Sequence, residues 1–211
     1  MKTALVIGAT GLIGRQLVEL LLADNRYTTV IALTRKPLSL KHSKLKNIQF
    51  DFDNPDEQQV QGDELFCCLG TTIKKAGSQQ TFHKVDYEYT LLSAQLAYKN
   101  GTKRIALVSS MGADKNARIF YNRTKGAIEE AIAAIGFEAT FIARPSLLLG
   151  NRTEFRGGEL VAKTLMKVFD FAIPRKYRAI DAAQVAKAMI VLMNSGKTGF
   201  HVIESDALAV L

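Results

Sequence analysis

Residues 3–14 read TALVIGATGLIG. An apolar strand runs into three glycines, Gly8, Gly11 and Gly14, and a helix follows. With this spacing the first glycine lets the chain reverse sharply, the second lets a pyrophosphate approach the backbone, and the third lets helix and strand pack closely. The helix N-terminus adds free N–H groups and a partial positive charge. The stretch therefore predicts a dinucleotide-binding turn, and the alternative is a tight turn before an amphipathic helix.

Length and composition predict a single domain over residues 1–211. The 211 residues, 47% of them hydrophobic, suffice for one sizeable core but are few for two full domains. No apolar run approaches the roughly 20 residues of a membrane span, and the N-terminus lacks the pattern of a signal peptide. We therefore expect a cytosolic protein without a membrane span.

The charge balance is basic, with 28 Lys and Arg against 20 Asp and Glu and a net charge of +8. Such a surface suits anionic ligands, nucleic acid or an acidic membrane, and it is equally an ordinary solvated surface. The basic residues are spread along the chain, without a nucleic-acid motif. We therefore expect no primary nucleic-acid role.

Cysteine and histidine usage indicates neither a disulfide nor a metal site. Cys67 and Cys68 are neighbours in an apolar strand, where their side chains point to opposite faces, so we expect buried thiols. His42, His83 and His201 are scattered without metal-ligand spacing.

Strand and helix patterns alternate from end to end, which predicts an α/β fold with a doubly wound (Rossmann) parallel sheet of about seven strands and helices on both faces. Ligands of such sheets bind beyond the carboxyl ends of the strands. The predicted strands are Ala4 to Ile7, Thr29 to Leu33, Asn47 to Phe50, Glu64 to Cys68, Arg104 to Val108, Thr140 to Ala143 and Phe200 to Ile203. The predicted helices are Leu12 to Ala23, Gln80 to Tyr98, Phe120 to Ala134, Leu160 to Phe169 and Ala182 to Met193.

The second strand ends in basic residues, Arg35 and Lys36, where the adenosine ribose of a dinucleotide is expected. Cofactors without a 2′-phosphate usually meet an acidic residue here, whereas a guanidinium grips a phosphate through two hydrogen bonds. The pair predicts a preference for NADP(H) over NAD(H), unless it is merely a solvated loop.

A second group of residues suits proton transfer. Ser109 and Ser110 end the fifth strand, and Tyr121 and Lys125 are four apart on the following helix, so these two share a face. A nearby ammonium favours the phenolate, which would let Tyr121 exchange a proton with a carbonyl oxygen while a serine hydroxyl holds that oxygen. The alternative is an exposed helical pair beside an ordinary loop.

The motifs together resemble a known family. They run almost the full length: GATGLIG from Gly8, the pair Arg35-Lys36, Asp51-Phe52, CCLGTTIKKAGS from Cys67, VSSMGADKN from Val108, YNRTK from Tyr121 and RPSLLLG from Arg144. The chain resembles the short-chain dehydrogenase/reductase superfamily, and more closely its atypical Tat-interacting-protein-like branch, which is NAD(P)-binding and epimerase/dehydratase-like.

The resemblance implies a role for each motif. It makes Ser110, Tyr121 and Lys125 the catalytic set, with Ser109 or a backbone group as substitutes for Ser110. It puts Asp51 and Phe52 near the adenine, residues 69–71 along the ribose and pyrophosphate, and residues 144–146 beside the nicotinamide. The implied cofactor-binding residues are Gly8, Thr10, Gly11, Leu12, Ile13, Gly14, Arg35, Lys36, Asp51, Phe52, Leu69, Gly70, Thr71, Tyr121, Lys125, Arg144, Pro145 and Ser146.

Two departures from the superfamily bear on function. Asp86 stands where many relatives carry an asparagine that supports a proton relay. After Arg144 the chain is short, leaving residues 150–178 as a modest substrate lid, which favours a small or apolar carbonyl compound over a nucleotide sugar.

Three functions fit the sequence. The first is an NADP(H)-dependent oxidoreductase that acts on a small carbonyl or alcohol substrate. The second is an NADP(H)-binding, redox-sensing regulatory or assembly protein with a protein partner, and the third is a nucleotide-sugar epimerase-like enzyme. The sequence does not identify a substrate.

Overall fold

The computed structural model describes residues 1–150 and 174–211, and in this part of the chain seven parallel strands form one sheet in the order β3-β2-β1-β4-β5-β6-β9. The order reverses between β1 and β4, as in a doubly wound fold, and ligands of such sheets bind at this reversal. The predicted fold is confirmed. The strands are β1 Lys2–Ile7, β2 Tyr27–Thr34, β3 Leu45–Gln49, β4 Glu64–Cys67, β5 Arg104–Val108, β6 Ala139–Arg144 and β9 Gly199–Glu204.

Both faces of the sheet are covered by helices. On β1 the side chains alternate, so that Ala4 and Val6 join one buried cluster while Leu5 and Ile7 join the other. Burial on both faces explains why the central strands read as continuous apolar runs rather than as alternating patterns. The helices are α1 Leu12–Ala23, α2 Ile73–Ala76, α3 Gln79–His83, α4 Thr90–Lys99, α5 Phe120–Ala133, α6 Ala182–Met193 and α7 Ser205–Leu208.

The helix predicted over Gln80 to Tyr98 is present but contains a π-helical segment. Residues Lys84–Tyr89 form this segment between α3 and α4. A π turn takes one more residue than an α turn, and such segments are frequent at functional sites. The segment carries Asp86, whose side chain is buried.

A two-stranded parallel ladder joins two distant parts of the chain beside the sheet. It pairs β7, Leu148–Leu149, with β8, Ile180–Asp181. The backbone N–H of Ile180 also donates to the carbonyl of Leu147 at 3.0 Å. The helix predicted over Leu160 to Phe169 and residues 151–173 of the expected lid lie outside the described residues.

The two cysteines are free and face opposite sides of the sheet, as predicted. Cys67 belongs to the cluster with Leu5 and Ile7, and Cys68 packs against the other cluster. Within residues 1–150 and 174–211 we find no helix with the length and apolarity that crossing a membrane requires.

Candidate active site

The glycine turn after β1 is shaped for close approach of backbone to backbone. Gly8 has φ +81°, and a Cβ there would lie 2.4 Å from the carbonyl carbon of Cys68. A Cβ on Gly14 would lie 2.1 Å from the carbonyl oxygen of Gly8. Side chains at these two positions would therefore push α1 away from the ends of β1 and β4.

The first turn of α1 is open to an anion. Gly11 is its N-cap residue and provides no side-chain cap, and the turn carries no acidic residue. Thr10 is exposed, and Arg15 Nε donates to its carbonyl oxygen at 3.2 Å. Backbone N–H groups at such a helix start, including those of Leu12 and Ile13, suit a pyrophosphate, so this cradle fits a dinucleotide.

The end of β2 presents two exposed cations. Thr34 is buried and its hydroxyl accepts a 2.7 Å hydrogen bond from Asn47 Nδ2, whereas Arg35 and Lys36 beyond it are exposed. Among the described residues, neither Arg35 nor Lys36 is in a salt bridge. Both side chains are thus available to a phosphate.

Asp51 and Phe52 lie where β3 ends. The Asp51 carboxylate is exposed and accepts hydrogen bonds from the N–H of Asp53 at 2.9 Å and from Asn54 Nδ2 at 3.3 Å, which together hold its pKa below the usual range. Phe52 is only 5% exposed, and its ring stacks on Tyr89 at 5.2 Å between centroids. The Phe52 ring therefore packs in the interior at the end of β3, and the Asp51 side chain lies on the surface there.

A buried ion pair lies beneath the loop after β4. Lys125 Nζ on α5 is 2.7 Å from Asp86 Oδ1, and the two side chains are only 5% and 0% exposed. At this distance the ammonium and the Oδ1 oxygen form a close ion pair. The other oxygen, Oδ2, accepts a 2.9 Å hydrogen bond from the N–H of Thr71. A Cβ on Gly70 would lie 3.6 Å from Asp86 Oδ1 and 3.8 Å from Lys125 Nζ, so the loop passes directly over the pair.

The electrostatics of Lys125 combine opposing effects. Burial disfavours the ammonium, but the charge of Asp86, supported by Tyr121 and by the contact with Asp86, outweighs it and raises the pKa of Lys125. The neighbouring thiol of Cys67 is wholly buried, and burial raises its pKa to about 11. At neutral pH Lys125 is therefore an ammonium beside the neutral thiol of Cys67.

Tyr121 lies one helical turn before Lys125, and its side chain is half-buried. Its ring packs against the buried ring of Phe82 on α3, with centroids 5.3 Å apart. Tyr121 and Lys125 share one face of α5, because residues four apart on a helix are neighbours, and Tyr121 contributes to the electrostatics of Lys125.

The two serines after β5 have different surroundings. Ser109 is buried, and its hydroxyl donates to the carboxylate of Glu129. Ser110 is half-buried, and its hydroxyl donates only to the carbonyl of the adjacent Met111 at 3.1 Å. The Ser110 hydroxyl is thus held by a weaker and more local contact than the Ser109 hydroxyl.

Glu129 also organises the end of β6. Arg144 binds its carboxylate through Nε, 3.0 Å from Oε1, and through Nη2. A further contact joins Arg144 Nη1 to Glu204 Oε1 at 3.3 Å. Sequence reasoning missed Glu129, although its spacing of four residues from Lys125 puts both on one face of α5.

Pro145 and Ser146 follow Arg144 at the edge of the site. The carbonyl of Pro145, a buried residue, accepts from the N–H of Met111 at 3.0 Å. Ser146 accepts a 2.9 Å hydrogen bond from the Ser205 hydroxyl and donates to the carbonyl of Arg178. The first bond joins the loop after β6 to the loop after β5, and the two bonds of Ser146 join it to the start of α7 and to the segment before β8.

Comparison with known proteins assigns the chain to a family. A family model described as NAD(P)H-binding matches residues 8–195. The chain belongs to this NAD(P)H-binding family. Protein HTATIP2 of Rattus norvegicus is 33% identical, with 98% of this chain and 88% of that protein covered. Protein FMP52, mitochondrial, of Candida albicans is 35% identical, with 92% and 89% covered. The predicted resemblance to the Tat-interacting-protein-like branch is confirmed.

Solved structures confirm the doubly wound fold of this family member. MoeE5 in complex with UDP-glucose and NAD superposes with a TM-score of 0.74 at 16% identity, covering 98% of this chain and 79% of that one. UDP-N-acetylglucosamine 4-epimerase from Methanobrevibacter ruminantium M1 superposes with a TM-score of 0.73 at 18% identity, covering 96% and 76%.

Proposed function

We propose that this protein is an NADP(H)-dependent oxidoreductase that transfers hydride between nicotinamide and a small or apolar carbonyl or alcohol substrate. One observation carries the proposal: the glycine cradle, the phenol of Tyr121 and the buried ammonium of Lys125 all lie at the carboxyl edge of the sheet. A protein that only binds the cofactor needs the cradle but has no chemical need for a phenol beside an ammonium.

The proposed chemistry divides between cofactor and protein. NADPH supplies the hydride when bound. Tyr121 donates its phenolic proton to the carbonyl oxygen as that oxygen gains negative charge, and it accepts the proton in the reverse direction. Lys125 stabilises the resulting phenolate and binds the nicotinamide ribose, while the Ser110 hydroxyl holds the substrate oxygen.

The preference for NADPH rests on the end of β2. Arg35 and Lys36 are exposed there without a salt-bridge partner in the part of the chain that the structure describes. A guanidinium and an ammonium together complement a 2′-phosphate, which carries negative charge and several acceptor oxygens.

We favour a small substrate because only residues 150–179 separate β7 from β8, the part of the chain that the sequence predicts to cover the substrate. A nucleotide sugar needs a larger binding surface than a small carbonyl compound does.

Stopped-flow absorbance tests the function. We would mix the NADPH complex with a panel of aldehydes, ketones and quinones and expect nicotinamide absorbance to decay with at least one of them. Tyr121→Phe should abolish the decay while cofactor affinity stays within a few-fold, because only the proton donor is removed. Tyr98→Phe, at an exposed position on α4, serves as the matched control. If no compound oxidises the bound cofactor while the oxidised and reduced forms differ in binding a captured protein partner, the protein is a redox-sensing regulator instead.

We also propose that the protein is cytosolic, as expected from the sequence. Fungal relatives such as that of Candida albicans carry the word mitochondrial in their names. Subcellular fractionation distinguishes the two compartments.

A further inference from the structure

The buried pair of Asp86 and Lys125 differs from an ordinary surface salt bridge in its surroundings. Both side chains are almost completely removed from water, at 0% and 5% exposure, while the Gly70 loop covers them. Taking a lone ammonium out of water is costly, so an unpaired lysine at this position would tend to lose its proton. The lysine needs its charge, because the proposed chemistry uses it to stabilise a phenolate.

We propose that Asp86 is a positioning residue, the counter-ion that keeps Lys125 charged and fixed beneath Gly70, in place of an amide-supported proton relay. The inference rests on the proposed function for the role of Lys125 in the reaction. The carboxylate acts through Lys125 and not on the substrate, because its two oxygens face Lys125 Nζ at 2.7 Å and the N–H of Thr71 at 2.9 Å.

The second oxygen ties the pair to the cofactor side of the site. Thr71 belongs to the stretch that follows β4 and is expected to pass along the cofactor ribose and pyrophosphate. Because one carboxylate binds both Thr71 and Lys125, the loop and the ammonium keep a fixed separation. Asp86 is the buried residue of the π-helical segment.

Among the described residues, two ionisable groups besides Asp86 contribute to the electrostatics of Lys125. From β4 comes the thiol of Cys67, which is neutral at ordinary pH, and from α5 comes the phenol of Tyr121. Asp86, from the π-helical segment, is the carboxylate in contact with the ammonium within the described residues. Removing its charge should therefore be felt at Lys125 directly.

The first experiment measures the ionisation of Lys125 without any substrate. Asp86→Asn keeps an oxygen that accepts from Thr71 and removes the negative charge. We would titrate the lysine side chains by carbon-13 NMR and assign Lys125 by the signal missing in Lys125→Met. We expect the titration midpoint of Lys125 to fall by roughly 2 or more pH units in Asp86→Asn, because burial then acts without a counter-ion. In the wild-type protein Lys125 should stay protonated through about pH 9, since the pKa of Lys125 lies above the usual lysine value.

The functional consequence is a change in pH profile. In Asp86→Asn, NADPH affinity and turnover should decline as pH rises from about 7 to 9, because Lys125 loses its proton in that range. In the wild-type protein Lys125 keeps its proton there, so neither quantity should fall for this reason. Asp86→Glu should restore part of the wild-type profile, because the charge returns on a longer side chain. Glu57→Gln is the matched control, since Glu57 forms an exposed 2.6 Å pair with Lys99 and should leave the Lys125 titration unchanged.

The outcomes separate this inference from the proposed function. An unchanged Lys125 midpoint in Asp86→Asn overturns the counter-ion role, whatever the enzyme turns over. If wild type reduces no carbonyl compound but the midpoint falls, the counter-ion role stands and the oxidoreductase proposal fails. If Asp86→Asn does not fold, the double variant Asp86→Asn/Lys125→Met should fold, because it leaves no unpaired charge. A double variant no more stable than either single one also overturns the inference.

Discussion

The guanidinium of Arg144 binds the carboxylate of Glu129, with Nε 3.0 Å from Oε1, and the same carboxylate accepts the buried Ser109 hydroxyl. One side chain of α5 thus joins the ends of β5 and β6. Because Glu129 is buried, neutralising it would leave the Arg144 guanidinium with only its longer contact to Glu204 and would weaken the acceptor of the Ser109 hydroxyl.

Glu129→Gln should therefore lower the free energy of unfolding by roughly 3 kcal/mol, measured by urea denaturation. Glu130→Gln is the matched control, because Glu130 lies on the same helix and its exposed side chain pairs with the exposed side chain of Lys115. The control should lose less than about 1 kcal/mol. Equal losses in the two variants would mean that the buried network contributes nothing beyond a surface pair.

The two serines should respond differently to alanine. Ser110→Ala should lower kcat roughly 100-fold or more while stability is kept, because a donor to the substrate oxygen is lost. Ser109→Ala should mainly destabilise the fold, by about 1 kcal/mol, because its hydroxyl is bound to Glu129. Steady-state kinetics and thermal unfolding on both variants separate the roles, and a larger kinetic effect for Ser109→Ala would reverse the assignment.

The cofactor preference should depend on Arg35. We expect NADPH to bind at least several-fold more tightly than NADH, and Arg35→Asp should remove that preference through the loss of charge-assisted hydrogen bonds to the 2′-phosphate. Lys41→Asp, an equal charge change at an exposed position further along the loop, is the control. Calorimetry with both cofactors is the measurement. Equal affinities in wild type would contradict the role of Arg35 and Lys36.

The glycine turn should tolerate no side chain. Gly8→Ala places a Cβ 2.4 Å from the backbone of Cys68, so we expect a large loss of stability together with loss of cofactor binding. Gly77→Ala has nearly the same φ, +82°, but nothing within 4 Å of the added Cβ, and should lose only about 1 kcal/mol. Thermal unfolding compares the cost of the conformation alone with the cost of the clash.

The sheet could be predicted from the sequence strand by strand, because each buried parallel strand is a short apolar run between polar breaks. The pairing of Tyr121 with Lys125 follows from helical spacing alone. Two buried contacts could not be predicted, because their partners lie far apart in the chain. Asp86 and Lys125 are 39 residues apart, and Ser109 and Glu129 are 20 residues apart. The π-helical segment also escaped prediction, because its local period departs from the 3.6 residues that a helical pattern follows.

The short ladder of Leu148–Leu149 with Ile180–Asp181 has an evolutionary consequence. It pairs the residues that come directly before and after residues 150–179, so the ladder itself holds these two points at a fixed separation. Lengthening a chain segment between two fixed points costs little, about 0.6 kcal/mol for each doubling of its length. Insertions between these two points can therefore accumulate in evolution without disturbing the sheet. Related proteins can then differ in what they recognise while they keep one nucleotide-binding scaffold.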